Sequence, residues 1–219
     1  MMLAGIFLVC RILEAQEKEA GITMKHLLFG LLLFAFSTSQ VSAFDEAHVK
    51  KLKTQGSCVS CDLSGANLTG ANLTGANLKG ADLSKANLTR VNLTGAFLRW
   101  ANLSSANLTR ADLSRANLRY ANLSSANLTR ANLSKASLLK TNLTKANLSR
   151  ADLRGANLRW ANLSRANLTG ANLNEAYLRE VYMTEADLSR AKKMRVKFKK
   201  PAILCRTKLP SGVDNSGCK

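Results

Sequence analysis

From Cys61 to Arg190 the chain repeats itself every five residues, in twenty-six units without an insertion. The units read CDLSG, ANLTG, ANLTG, ANLKG, ADLSK, ANLTR and onward. The third position is Leu in every unit but one, where Met183 stands. The first is Ala in 22 units, the exceptions being Cys61, Val91, Thr141 and Val181. The second is Asn or Asp in 22, the exceptions being Phe97, Ser137, Tyr177 and Tyr182. A period of five matches neither the 3.6 of a helix nor the two of a strand. It fits a coil that turns a corner every five residues, with Leu and Ala inward and the other three positions outward. A small residue beside a large one fills a narrow core without voids. Asn above Asn is expected to form amide ladders along the stack.

These units resemble the pentapeptide-repeat family, whose consensus is A(D/N)LXX, over 130 of the 219 residues. The resemblance implies an all-β fold, a right-handed quadrilateral parallel β-helix with four units, or 20 residues, per coil. On that plan there are about 6.5 coils, and at ~4.8 Å per coil the rod is about 31 Å long. Such a solenoid exposes core and backbone at its ends and needs caps. Residues 44–60 are expected to cap the front, with Phe44, Ala47 and Leu52 of a short helix laid over the first coil. Residues 191–219 are expected to cap the back. There the fives stop, Met194, Val196 and Phe198 alternate with basic residues like a half-buried strand, and Pro210-Ser211-Gly212 reads as a turn.

The segment before the repeats has a different grammar. Met24-Lys25-His26 is a short basic start, Leu27–Phe36 an apolar run, and Val41-Ser42-Ala43 a small-x-small exit. Residues 24–43 therefore read as a secretory signal peptide cleaved after Ala43. Residues 1–23 then read as an upstream extension from a misassigned start. The apolar run is too short to span a bilayer core of ~30 Å, so no stable membrane insertion is expected after cleavage. The protein is expected in the periplasm or outside the cell.

Lys and Arg number 32 against 14 Asp and Glu, a net charge of +18. The segment 1–43 contains three of each sign, so its removal leaves +18 unchanged. That charge excludes an acidic, phosphate-mimicking surface. With only two His in the chain, most metal and acid–base designs are excluded too. No catalytic residue, metal site or cofactor is assigned, and the chain is read as non-enzymatic.

Four cysteines follow the leader. Cys58 and Cys61 lie in front of the rod, Cys205 and Cys218 behind it. A disulfide needs Cα atoms within ~7 Å. On the rod implied by the resemblance, only Cys58–Cys61 and Cys205–Cys218 can pair, and an oxidising compartment favours both. Cys58-Val59-Ser60-Cys61 is also a CxxC motif, which admits a redox reading. Asp62 stands where a haem-attachment motif needs His, and with His48 as a third ligand zinc still lacks a fourth.

Residues 20 apart share a side of the rod, and the sides differ. One carries a basic ladder, Arg90, Arg110, Arg130 and Arg150, followed by Gly170 and Arg190. Another carries Arg99, Arg119, Arg159 and Arg179 beside Trp100, Tyr120 and Trp160, with Leu139 interrupting. Two like charges ~5 Å apart in water repel by about 0.8 kcal/mol, which a bound anion relieves. Basic residues interleaved with aromatics suit a polyanion or a sugar surface.

The sequence thus points to an exported binding or scaffold module for an anionic polymer or an acidic protein. The alternative is a structural rod without a specific ligand. The resemblance also raises topoisomerase interaction, because quinolone-resistance members of the family imitate DNA. The basic charge and the leader oppose that reading, and chromosomal DNA is not an expected partner.

Overall fold

The structure, a computed structural model, describes residues 45–192 and 202–214, all within the unit Ala43–Lys219. Its first element is helix α1, Glu46–Gln55. Asp45 caps its start by accepting a hydrogen bond from the Ala47 N–H at 2.8 Å, as an N-cap carboxylate does. Gly56 closes it in the left-handed region, φ 63°, with its N–H donating to Leu52 O, the position where glycine is least strained. The helix sets Leu52 fully into the core, and Val49 packs against it half-buried. Ala47 is exposed, so Val49, three residues before Leu52, takes the inward place expected of Ala47. Phe44 lies outside the described residues.

After α1 the chain becomes a parallel stack. Isolated bridges join each second-position residue to its counterpart 20 residues on, from Ser57–Asn77 through to Asn172–Lys192. Four five-residue units therefore make one circuit, and the rod has four sides. Side 1 holds the units beginning at Cys61, Ala81 and so on. Sides 2, 3 and 4 begin at Ala66, Ala71 and Ala76.

One unit shows how the chain satisfies its backbone. The Leu63 N–H donates to Asp82 O at 2.7 Å, and the Gly65 N–H to Ser84 O at 2.7 Å, both one coil on. The Asp82 N–H donates back to Cys61 O at 2.8 Å. The Ala66 N–H closes the corner on Leu63 O at 3.0 Å. Gly65 has φ 70°, and a positive φ at the third residue of such a turn marks type II. One N–H of the five remains, that of the fourth position. It donates to the second-position side chain, as Ser64 N–H does to Asp62 Oδ1 at 3.0 Å. Asn or Asp recurs at that position because a short side-chain carbonyl or carboxylate completes the accounting.

That local bond changes the expected amide ladders. Cross-coil amide bonds run on side 1, from Asn142 to Asn122 to Asn102 to Asp82, each at 3.2 Å. A second link joins Asn132 to Asp112 on side 3. Elsewhere the Asn oxygen serves its own turn, and at several units with Thr two residues on the hydroxyl adds a bond, as Thr109 does to Asn107 at 2.6 Å.

The third-position Leu and first-position Ala fill the interior, nearly all of them fully buried. Each Leu so placed contributes about 1.5–3 kcal/mol of transfer free energy. Thr141 replaces Ala on side 1, and its buried hydroxyl donates to Leu118 O at 2.8 Å, which removes the penalty of an unpaired group.

The pattern of fives resumes beyond the residues where the sequence had lost it. Tyr182 bridges Ile203 and Asp187 bridges Lys208, a separation of 21 instead of 20. Ala202 and Leu204 are buried like the first and third positions of a unit, and Arg206 has the corner's positive φ, 53°. Thr207 repeats the Thr141 device, donating from a buried site to Met183 O at 2.6 Å. Met194, Val196 and Phe198, expected as a capping strand, lie outside the described residues. Strand β1, Thr207–Leu209, then pairs antiparallel with β2, Gly212–Asp214, around Pro210-Ser211. An antiparallel partner ends the parallel progression and covers backbone groups that a further coil would use.

Cys58 and Cys61 form a disulfide with Cα atoms 5.3 Å apart, both buried. Cys205 is disulfide-bonded as well; Cys218, its expected partner, lies outside the described residues.

Candidate functional site

Side 4 brings the basic and aromatic residues together as one stack. Trp100 and Tyr120 lie 6.0 Å apart, centre to centre, with planes 23° from parallel. Arg99 lies beside both, its guanidinium carbon 3.7 Å from the Trp100 centroid and 5.5 Å from that of Tyr120. Lys79 reaches Trp100 at 5.3 Å, Arg119 reaches Tyr120 at 6.0 Å and Arg159 reaches Trp160 at 4.8 Å. Each is within range of attraction between a cation and a ring quadrupole.

Two positions depart from the sequence expectation. Leu139 interrupts the Arg row, but Lys140 beside it spans the gap, 5.8 Å from Tyr120 and 5.7 Å from Trp160. Lys140 was missed because it occupies an aromatic slot; the signal was its place 20 residues after Tyr120. Arg179 stands off the stack, since the residue beside it is Glu180, to which it donates at 3.3 Å.

The stack has a cost. The Nε atoms of Arg99, Arg119 and Arg159 are buried without a hydrogen-bond partner. Leaving a buried donor unmade costs about 1–3 kcal/mol, against about 0.5–2 kcal/mol gained per cation–ring contact. The rings stay partly open nonetheless, Trp100 being 47% exposed and Phe97, on the same side, 53%.

Side 2 holds the other basic row. Arg90, Arg110, Arg130 and Arg150 occupy corner positions with φ between 56° and 59°, and all four are exposed. They border a groove of about 660 Å³ whose other wall is the row of Thr and Ser at the fourth position. Ion pairs among the described residues lie elsewhere: Arg154–Asp152 at 2.6 Å, Arg165–Glu185 at 2.8 Å, Arg179–Glu180 and His48–Asp45.

The acidic second-position residues serve the turns. Burial pushes the Asp112 carboxyl up, but bonds from the Ser114 hydroxyl and N–H, from Asn132 and from Thr94 outweigh it, and the group lies below the usual carboxylate range. The Ser64 hydroxyl and N–H lower Asp62 against a smaller burial effect. The Ser189 hydroxyl does the same for Asp187, with the Ser189 N–H and Lys208 adding to it. No group of three His, Cys, Asp or Glu side chains placed to hold a metal ion occurs among the described residues.

Five-residue units, four to a circuit, joined coil to coil by parallel bridges, define a class of β-solenoid. The family model for pentapeptide repeats matches residues 61–99, 83–119, 96–134, 121–159 and 161–192, in eight copies. The chain belongs to the pentapeptide repeat family. Members of that family fold as right-handed quadrilateral β-helices and are generally non-catalytic structural or binding proteins. Among solved structures, the chain is similar to HetL, a pentapeptide repeat protein involved in heterocyst differentiation regulation in the cyanobacterium Nostoc. The identity is 30% over 71% of this chain and 90% of that one, with a TM-score of 0.44. A pentapeptide repeat protein of the Arabidopsis thaliana thylakoid lumen is 32% identical over 45% of this chain and 69% of its own, TM-score 0.43. QnrB1, a plasmid-mediated fluoroquinolone resistance protein, is 21% identical over 74% and 78%, TM-score 0.47. A search of the curated proteins found no match.

Proposed function

We propose that this protein is a non-catalytic, exported binding module of about 6.5 repeat coils that engages an anionic polymer or an acidic protein through side 4. The observation that carries the reading is the run of contacts between cations and rings from Lys79 to Trp160 on one side. A guanidinium held over a ring has given up part of its side-chain freedom already, so less is lost when it binds an anion. Rings left partly open offer a sugar or base a face to lie on. Export by the segment 24–43, with cleavage after Ala43, accords with disulfides at Cys58–Cys61 and Cys205, bonds that persist in oxidising compartments.

The test is retention of the chain on heparin, lipopolysaccharide and wall polysaccharide across a salt series, beside a variant with Trp100, Tyr120 and Trp160 changed to Ala. Selective loss of one surface supports side 4 as the site. Co-elution of the two proteins on every surface overturns it.

One observation favours the alternative of a rod without a specific ligand. The stack partners itself: each ring already carries a cation of the same chain. In that case replacing Arg99, Arg119 and Arg159 by Gln would lower stability and change no binding.

A further inference from the structure

We propose that the groove on side 2 is a second, separate site, and that it binds a linear anionic polysaccharide with one carboxylate per sugar.

The arrangement of charge comes first. Arg90, Arg110, Arg130 and Arg150 lie in consecutive coils, one guanidinium per step of ~4.8 Å. Gly70 and Gly170 bound the row. At Gly170 an added Cβ would meet only ordinary contact, 3.6 Å from Arg150, and at Gly70 nothing at all. Crowding therefore does not limit the row to four. Positive φ does not single these residues out either, since corners on every side share it. What sets them apart from the basic residues of sides 1 and 3 is the lack of carboxylates, a lack that side 4 shares up to Trp160. On side 2 no outward position from 66 to 170 is acidic, and none of the four Arg makes an ion pair among the described residues. On side 1 Arg165 meets Glu185, on side 3 Arg154 meets Asp152, and on side 4 Arg179 meets Glu180.

The lining says which polyanion. Thr89, Thr109 and Thr129 each give their hydroxyl proton to an Asn oxygen. The Thr129 oxygen also meets the Ser149 hydroxyl at 3.4 Å; those of Thr89 and Thr109 are left as acceptors beside the Arg row, so the groove offers acceptors as well as cations. A phosphate chain has only acceptors and would leave those oxygens unmatched. A sugar chain brings hydroxyl donors for them. Single-stranded nucleic acid needs ring platforms for its bases, and the groove lining contains no aromatic residue. Duplex DNA carries a charge every ~1.7 Å, far denser than one Arg per coil. A polyuronate advances by one pyranose ring per carboxylate, about one coil, and a carboxylate accepts the two parallel N–H bonds of a guanidinium.

The experiment is titration calorimetry of the full chain with polygalacturonate, its methyl ester and inorganic polyphosphate at fixed salt. The variants are R110K/R130K, R110Q/R130Q and the control R115Q/K135Q, which removes the same charge from side 3. Lys is already held at this kind of corner, at Lys85 and Lys145 with φ 58° and 59°, so R110K/R130K tests the loss of the guanidinium fork with the fold preserved. Polygalacturonate is expected to bind and its methyl ester not. R110Q/R130Q should weaken binding by at least about tenfold and R110K/R130K by less, as lost charge-assisted hydrogen bonds require. R115Q/K135Q should leave it nearly unchanged. Equal weakening by R110Q/R130Q and R115Q/K135Q would reduce the effect to net charge and overturn the proposal. So would tighter binding of polyphosphate, or no binding of polygalacturonate. The Trp100, Tyr120 and Trp160 triple variant should keep polygalacturonate affinity, so this site and side 4 fail independently.

Discussion

The guanidinium carbon of Arg99 lies 3.7 Å from the centre of the Trp100 ring, its neighbour in the chain. The two occupy the fourth and fifth positions of one unit, the two residues of a corner. A corner that usually carries small or polar residues here holds a cation against a ring. Changing Trp100 to Leu removes that partner and the contact with Tyr120. The expected cost is about 1–2 kcal/mol, measurable as a lower urea midpoint, with Leu113→Met elsewhere in the core as a near-neutral control.

Asn122 serves two purposes. Its oxygen accepts from the Ser124 N–H at 3.1 Å and from Asn142 Nδ2, while its own Nδ2 donates to Asn102. Asn122→Ala should destabilise by about 1–3 kcal/mol through the lost bonds and an orphaned N–H. The converse change is Phe97→Asn. At that unit no side-chain acceptor is present for the Arg99 N–H, and Asn should supply one. The variant is expected to melt at or above the parent temperature.

Core deletion should be costly in mid-rod and mild at the end. Leu123 is fully buried, whereas Leu209 is only partly so. Leu123→Ala should lose about 2–5 kcal/mol, and Leu209→Ala clearly less. Hydrogen exchange should show the Leu123 loss concentrated in the coils above and below, because each repeat contacts only its neighbours.

Acid should weaken the rod at its Asp-bearing corners. Asp112 is held below its ordinary 3.8, with Ser114, Asn132 and Thr94 outweighing burial. A carboxylate depressed on folding contributes stability that is present above the unfolded value and lost as pH falls through the folded one. Thermal stability should therefore be level above about pH 5 and decline below about pH 4. Asp112→Asn keeps an acceptor for the Ser114 N–H and removes the titration, so its decline should be shallower. An identical acid profile would contradict the assignment.

Much of this was legible in the sequence because five-residue periodicity fixes which side chains point inward. The buried Leu and Ala follow from it; the stacking of residues 20 apart, and with it the clustering of Trp100, Tyr120 and Trp160, followed from the resemblance to the pentapeptide-repeat family. What escaped was local. Asn at the second position suggested ladders; they run on side 1 and at Asn132–Asp112, while elsewhere the oxygen serves the fourth-position N–H of its own unit. Lys140 was hidden because it fills an aromatic slot without being aromatic. The coil through Ala202–Leu209 was hidden by one extra residue, which shifts the register from 20 to 21. In α1, Ala47 was expected beside Leu52, but the larger Val49 packs there and Ala47 is exposed.

Both Trp residues of the chain, Trp100 and Trp160, belong to the side 4 stack. Intrinsic Trp emission therefore reports on that side alone. The most direct measurement is a titration of the full chain with heparin, followed by Trp emission and repeated at rising salt. A ligand seated on side 4 gives a saturable change in emission whose midpoint moves to higher heparin concentration as salt rises. Binding detected by calorimetry with Trp emission unchanged would place the ligand elsewhere and contradict the account.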